Sequence, residues 1–368
     1  MKTNMIQFLS NLALSASLLF IPNLARDLGA NNAQVGIVVA VYAFAMFITS
    51  YIFGRASDVY GRRLFIRLGL GLCTATFLLQ IFADPYFAAP LLASPWLLAL
   101  VRGLAGFSLG IFPAALTVYV YDSAGSLGRF SSFGALGWAV GTFVAGLIAF
   151  YYGVFILSSL CFLVAFLLSF TMKEVDSPSL RVPFFPKDLL KKNWRVYVPF
   201  LLRHVGANCI WVIYPLYIMN TLGGDKFWVG LIYTVNTATQ FFVMRFLDRF
   251  ESERLIRIGL LLAIMTFLSF TFAQSFLHLL PMQVLLACSW SSMYVGSLLY
   301  LMKHNVERAT SSGILSSVIN ISQVFGALLG GLISMIFNNF RATMYLAAIL
   351  TVIGFCFFRA GNRQQKSD

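Results

Sequence analysis

Arg102 and Arg203 are the residues whose chemistry most needs an explanation. Each stands inside an apolar stretch, in LVRGLAGFSLGIFP and FLLRHVGANCIWVIYP respectively. A guanidinium keeps its proton at physiological pH, so it acts as a fixed cation rather than a proton shuttle. Placing one in a bilayer costs about 2.5–3.5 kcal/mol on insertion scales, so it normally faces protein or a cavity. Fixed positive charge of this kind favours an anionic, zwitterionic or neutral amphiphilic ligand. Arg102, the first candidate, shares a helical face with Gly106 and Gly110, and these glycines admit a close neighbour along the charged stripe. The bland alternative is an arginine near the outer end of its segment, reaching for lipid headgroups.

Other polar residues recur at helical spacing. Asn11 with Ser15, Asn236 with Gln240 and Asn320 with Gln323 are i, i+3 or i, i+4 pairs, and His204, Asn208, Trp211 and Pro215 follow the same rhythm beside Arg203. Helical geometry puts each set on one face, predicting stripes that turn inward and line a substrate or coupling cavity. Hydrogen bonding between helices, worth about 0.6 kcal/mol per contact, is the competing use of any single pair. His204 either titrates near neutrality and serves coupling or meets water at a segment end.

The thirteen acidic residues all fall in loops or at segment ends, so a buried carboxylate that would bind an organic cation has no obvious residue. Cys73, Cys161, Cys209, Cys288 and Cys356 lie in apolar stretches without a CxxC pair, and they read as small hydrophobes, with neither disulfide nor metal site expected. No glycine loop precedes a GK[ST], and neither HExxH nor a serine elbow occurs. With no nucleophile–base set to assemble, neither an enzyme nor a cofactor is expected.

The elements that must position these residues follow from composition. The chain has 368 residues, 59% hydrophobic and 11% charged, where a soluble domain carries about a quarter charged. It divides into twelve apolar runs, near 5–25, 33–53, 65–84, 96–119, 130–150, 153–172, 196–219, 228–246, 255–273, 279–302, 312–337 and 341–359. Runs of roughly 18–25 residues cross a hydrocarbon core of about 30 Å as helices. The last two are parted only by NNFR, so ten or eleven spans are alternative counts. The first run lacks a small-residue cleavage site and reads as a retained span.

The net charge of +13 is unevenly placed: Arg62, Arg63, Arg67, Arg129, Lys191, Lys192, Arg254 and Arg308 are among the many on one side of the run pattern, with Arg26, Lys226 and Arg341 on the other. This asymmetry follows the positive-inside rule and predicts a multi-pass protein of the plasma membrane with both termini cytoplasmic. Anionic headgroups suffice as partners for the charge, and nucleic acid is not needed.

The chain also repeats itself. GRASDVYGRRLFIRLG, Gly54 to Gly69, is echoed by MRFLDRFESERLIRIG, Met244 to Gly259, which aligns Arg55 with Arg245, Asp58 with Asp248 and Gly69 with Gly259. A second echo aligns Pro22 with Pro215 and Gly29 with Gly223, and a third joins GTFVAGLI at Gly141 to GALLGGLI at Gly326. Two six-span halves are predicted, 1–172 and 196–368, joined by a basic, proline-bearing cytoplasmic linker at 173–195. Parallel repeats of this kind belong to carriers that rock about a midplane site.

On these motifs the chain resembles the major facilitator superfamily over nearly its whole length. Gly54, Asp58, Gly61, Arg62 and Arg63 are similar to that family's signature loop between the second and third helices. The resemblance implies a cytoplasmic latch between the halves that breaks when the carrier changes face. Arg245, Asp248 and Arg254 form its second-half counterpart, with Met244 and Glu251 where glycines would be expected. Arg102, Gly106 and Gly110 resemble the helix-four pattern. Gly137, Gly141 and Gly146 resemble the helix-five motif of antiporter branches, with Thr142 replacing its proline and Ala145 one glycine; read from the residues alone they are a small-residue packing face.

The fold expected is an all-α integral membrane protein, twelve transmembrane helices in two pseudo-symmetric six-helix bundles, acting as a monomer. The function implied is secondary active transport by alternating access, with proton- or ion-coupled efflux of a small amphipathic or anionic compound. Uptake of a sugar or organic acid is the alternative within the fold. A non-transporting membrane sensor or a lipid-moving protein is the alternative outside it.

Overall fold

The computed structural model describes residues 1–87, 94–148, 150–173, 175 and 180–364. Among the described residues the chain is helical and contains no strand, as expected of segments that must satisfy their own backbone polar groups in lipid. The α-helices in chain order are α1 Lys2–Leu19, α2 Ile21–Asp27, α3 Asn32–Tyr60, α4 Arg62–Leu79, α5 Pro95–Leu109, α6 Pro113–Asp122, α7 Leu127–Leu147 and α8 Tyr151–Phe170. They continue as α9 Lys187–Trp211, α10 Tyr214–Leu216, α11 Lys226–Met244, α12 Ser252–Thr271, α13 Leu279–His304, α14 Arg308–Phe337 and α15 Arg341–Gln364.

Each of the twelve apolar runs holds a helix. Among the described residues ten spans are long and apolar enough to cross a membrane, and the bent pair Lys187–Trp211 and Tyr214–Thr221 makes eleven. α11 is not among them, because its nineteen residues include Thr234, Asn236, Thr237, Thr239 and Gln240. Three runs are broken where a proline opens a new helix. Pro22 stands near the start of α2, Pro113 opens α6 and Pro215 lies in α10. A proline lacks the N–H that an interior turn would use, yet fits a first turn. The third break, at Pro215, bends the chain by 44°. Pro22 and Pro215, aligned by the repeat, thus mark the same break in the first helix of each half. α14 and α15 are separate helices, parted at Asn338, whose φ of 44° ends the helical run. α9 begins at Lys187, so the end of the segment read as a linker forms its first turns.

The chain divides into two compact units, Met1–Phe184 with Asn305–Asn320, and Phe185–His304 with Ile321–Asp368. In the first unit α7 lies against α1, where a Cβ on Gly137 would strike the Phe8 carbonyl and one on Gly141 the Leu12 carbonyl. In the second unit α14 lies against α9, where a Cβ on Gly326 would meet the Val205 carbonyl and one on Gly330 the Cys209 carbonyl. The echo between GTFVAGLI and GALLGGLI therefore records one packing solution used twice: glycines let a helix approach carbonyls four residues apart. Gly146 does not share this role. A Cβ there meets nothing within 4 Å, and the packed stripe ends at the fully buried Ala145.

Candidate functional site

Several of the polar stripes converge in the second unit. A cavity of about 130 Å³ is lined by Arg203, His204 and Trp211 from α9, Asn236 and Gln240 from α11, and Leu286 and Trp290 from α13. Arg203 is 2% exposed and forms no ion pair among the described residues. Its Nη2 donates to Ser289 Oγ at 3.3 Å, while Nε has no hydrogen-bond partner. The guanidinium lies 5.5 Å from the Phe267 ring and 5.4 Å from that of Trp290. Aromatic faces attract the cation without neutralising it, so this end of the cavity stays positive.

The walls are held in place by their neighbours. The His204 ring stacks on Trp290 with centroids 5.0 Å apart, and Trp290 stacks on Tyr294 at 5.3 Å. His204 Nδ1 is buried without a partner. Gln240 Nε2 donates to Asn236 Oδ1 at 2.6 Å, and Asn236 Nδ2 donates to the Gln283 carbonyl at 3.3 Å. Gln283 Nε2 in turn reaches the Tyr214 hydroxyl at 2.7 Å. These bonds orient both amides and leave Gln240 further donor and acceptor capacity. Fixed cation, oriented amides and indole walls together can hold the polar head and apolar body of an amphiphile. Leu286 and Trp290 were not singled out by sequence spacing. The available signal was the i, i+4, i+8 row Leu286, Trp290 and Tyr294.

Arg102 sits elsewhere. In the first unit it is 1% exposed, its guanidinium 3.9 Å from the Tyr42 ring, with Nη1 donating to Gln80 Oε1 at 3.2 Å. A Cβ on Gly106 would strike the Tyr42 carbonyl and one on Gly110 the Thr49 hydroxyl. The stripe read as carrying a ligand-facing charge is thus where α5 packs on α3. Asn11 donates to the Gln7 carbonyl at 2.9 Å, and Asn208 donates to the His204 carbonyl at 2.8 Å. Each also lies against a packing glycine, Gly137 and Gly326 respectively. Ser15 is buried and donates to the Leu12 carbonyl. Asn320 is buried beside the Ser50 hydroxyl at 3.4 Å, while Gln323 is exposed.

The signature stretch is not a loop. Gly54 to Tyr60 form the last turns of α3, Arg62 opens α4, and only Gly61 connects them. Its φ of 96° lies in the region that glycine reaches without strain. Gly54 serves a different purpose: a Cβ there would sit 2.6 Å from the Ala309 carbonyl oxygen and 3.0 Å from the Cα of Gly313, so it lets the first turns of α14 approach. Asp58, 2% exposed, caps that helix. Its Oδ1 accepts the Ala309 N–H at 3.1 Å, and Oδ2 accepts the Thr310 N–H and hydroxyl, both at 2.7 Å. Arg62 pairs with Asp122, whose other oxygen receives Arg308 Nη1 at 2.7 Å. Arg63 donates to the Met172 carbonyl at 3.0 Å. All of these residues belong to the first unit. Sequence reading missed Asp122, Arg308, Thr310 and Gly313; the available signal was a polar NVERATSSG stretch leading into an apolar helix.

The counterpart stretch is built otherwise. Met244, 2% exposed, fills with its side chain the position at which Gly54 admits a neighbour. Arg245 lies over the Phe241 ring at 4.4 Å, Asp248 sits in a short 3-10 turn and Arg254 is exposed. Glu253 pairs with Arg195 at 3.5 Å, and Arg195 Nε donates to the Tyr300 hydroxyl at 2.9 Å.

The fold and its repeats agree with comparisons to known proteins. A model of the Major Facilitator Superfamily matches residues 3–304 and 196–368. Multidrug resistance protein 1 of Bacillus subtilis is 24% identical, over 90% of this chain and 88% of that protein. Quinolone resistance protein NorA of Staphylococcus aureus is 22% identical, over 94% of this chain and 92% of its own length. Among solved structures, the human organic anion transporter MFSD10 (TETRAN) superposes with a TM-score of 0.81 at 14% identity, covering 97% of this chain and 98% of that one. The Escherichia coli fucose:proton symporter FucP gives 0.75 at 16% identity, covering 97% of each chain. With the family model spanning both repeated halves, the chain belongs to the Major Facilitator Superfamily and is a multi-pass membrane transporter, not an enzyme.

Proposed function

We propose that this transporter exports a small amphipathic or anionic compound from the cell by alternating access, in exchange for a proton or another ion. The observation that carries this reading is Arg203, a buried guanidinium without a carboxylate partner among the described residues, beside a cavity walled by amides and indoles. Charge left uncompensated in an apolar surrounding is costly unless a ligand supplies the opposite sign. The names of the curated relatives, multidrug resistance and quinolone resistance, favour the export direction. The human neighbour named for organic anions agrees with the sign of the site.

In this reading residues 1–172 rock against 196–368 about the linker 173–195, with both termini cytoplasmic. Asp58, capping α14, is the latch that holds one conformation, and Arg62, Asp122 and Arg308 support it. A rocking carrier needs contacts that form in one state and release in the other, and a carboxylate at a helix N-terminus suits this because it has a defined geometry and a modest free energy.

The test is flux in sealed proteoliposomes carrying an imposed pH gradient, screened with anionic, neutral and cationic amphiphiles. Protein-dependent movement of an anion or amphiphile that collapses when the gradient is dissipated is the expected result. Flux indifferent to the gradient overturns exchange, and the absence of protein-dependent flux across the panel overturns the transport assignment of this cavity.

A further inference from the structure

The cavity beside Arg203 has two unlike ends, and their identity narrows the ligand. Arg203 and Trp211 are two turns apart on α9, about 12 Å along the axis. Trp211 meets Tyr233 of α11, ring centroids 5.1 Å apart. From Tyr233, the antiparallel α11 runs two turns to Gln240, which returns to the level of Arg203. On α13, Gln283 bonds the Tyr214 hydroxyl near the Trp211 end, and Trp290 lies two turns on, within 5.4 Å of the Arg203 guanidinium. Three helices therefore agree on one polarity. Arg203, His204 and Gln240 form a basic, hydrogen-bonding end, whereas Trp211 and Tyr233 form an aromatic one.

We infer that the ligand is an arylalkanoate-like monoanion: one planar ring on a short spacer from a carboxylate, with the carboxylate at Arg203 and the ring toward Trp211. This rests on the transporter reading above and sharpens it. Arg203 Nε and His204 Nδ1 are buried without partners, so the basic end has unused capacity for a planar anion, and a guanidinium matches a carboxylate through parallel N–H bonds. Size sets the other limit. A volume of about 130 Å³ is of the same order as the ~150 Å³ of an engineered apolar cavity that admits benzene, so the site suits a ligand with a single ring. Arg102 supplies the contrast. It is equally buried and its Nε likewise lacks a hydrogen-bond partner, but Tyr42 and Gln80 close it in, so a buried guanidinium makes an anion site only where a cavity lies beside it.

The test is calorimetric titration of the full chain in lipid nanodiscs with four probes of similar shape: 3-phenylpropionate, 3-phenylpropionamide, 3-phenylpropylamine and 3-cyclohexylpropionate. The acid is expected to bind at least about tenfold more tightly than the amide, the fold-change of one hydrogen-bonded charge. It should bind about threefold more tightly than the cyclohexyl acid through ring contacts. Arg203→Gln should erase the acid–amide difference, Arg203→Lys should keep its direction, and Trp211→Leu should erase the aryl–cyclohexyl difference. If Arg203→Gln does not fold, the Lys and Leu variants still carry the comparison. Tighter binding of the amine, equal binding of acid and amide, or an acid preference that survives Arg203→Gln overturns the inference. Should the liposomes move larger amphiphiles while none of the four probes binds, this inference falls and the transport reading stands. Should nothing move in a protein-dependent way, the transport reading falls first.

Discussion

Asp58→Asn is the substitution whose effect can be worked most directly from the structure. Both carboxylate oxygens are used, one by the Ala309 N–H and the other by the Thr310 N–H and hydroxyl. Asparagine keeps one oxygen and turns the other into a donor aimed at a donor. The loss comprises one hydrogen bond to a charged group, about 1.5–3 kcal/mol, and the attraction of a carboxylate for a helix N-terminus, up to about 2 kcal/mol when partly buried. These overlap, so about 3 kcal/mol is a fair total, equivalent to about 150-fold in local opening. Thr310→Val removes only the hydroxyl bond, about 1.5 kcal/mol and roughly tenfold.

The assay is amide hydrogen exchange of the full chain in nanodiscs, read over peptides that cover 305–320. Ala309 and Thr310 lie in the first turn of α14, where backbone N–H groups have no partner inside the helix. Their protection therefore reports on Asp58 directly. Exchange in this turn should accelerate strongly in Asp58→Asn and about tenfold in Thr310→Val, with mid-α14 unchanged. Unaltered exchange in Asp58→Asn, or a larger effect from Thr310→Val, would refute the assignment of Asp58 as the cap.

Other outcomes follow from packing and burial. Gly141→Val and Gly330→Val, each placing a side chain against a carbonyl of the neighbouring helix, should each cost at least about 1–3 kcal/mol and lower the thermal unfolding midpoint in detergent. Gly146→Ala, which meets nothing, should leave that midpoint unchanged or raise it. Gln80→Leu should destabilise the protein by about 2 kcal/mol, because Arg102 stays buried and loses its hydrogen-bond acceptor; the measurement is again the unfolding midpoint. Asp84→Asn should cost about 1–2 kcal/mol, since the fully buried carboxylate accepts the Tyr86 and Tyr152 N–H groups and caps α8; faster exchange at Tyr152 is the specific readout.

The repeats made the architecture legible because a duplicated helix must solve the same packing problem twice. The repeat aligns Pro22 with Pro215 and Gly141 with Gly326, and in the structure the prolines mark equivalent breaks and the glycines make equivalent contacts. The cavity was legible from α9 and α11, where Arg203, His204, Trp211, Asn236 and Gln240 are spaced as faces. It was not legible from α13, where Trp290 looks like one more apolar residue in an apolar helix. Helical spacing says which residues share a face, but not which neighbour that face meets. For the same reason Asn11 and Asn208 could be placed on stripes, while their use against glycines of another helix could not.

The carboxylates show where a sequence-level distinction fails for a physical reason. Asp84 and Asp122 stand at segment ends, so on hydropathy they pass for solvated loop residues, whereas Asp58 is marked by the signature stretch as an acceptor at a helix N-terminus. In the fold, Asp58 and Asp84 are among the buried polar groups, and each caps the first turn of a helix distant in sequence, α14 and α8 respectively. A helix that begins at a membrane boundary exposes N–H groups with no internal acceptor, and the end of a neighbouring helix is where a carboxylate can reach them. The price of burial is met by those N–H groups and by arginines, as in Arg62 and Arg308 at Asp122. Among the described residues Arg203 forms no ion pair, which is why the proposed reading lets this one cation decide what the cavity accepts.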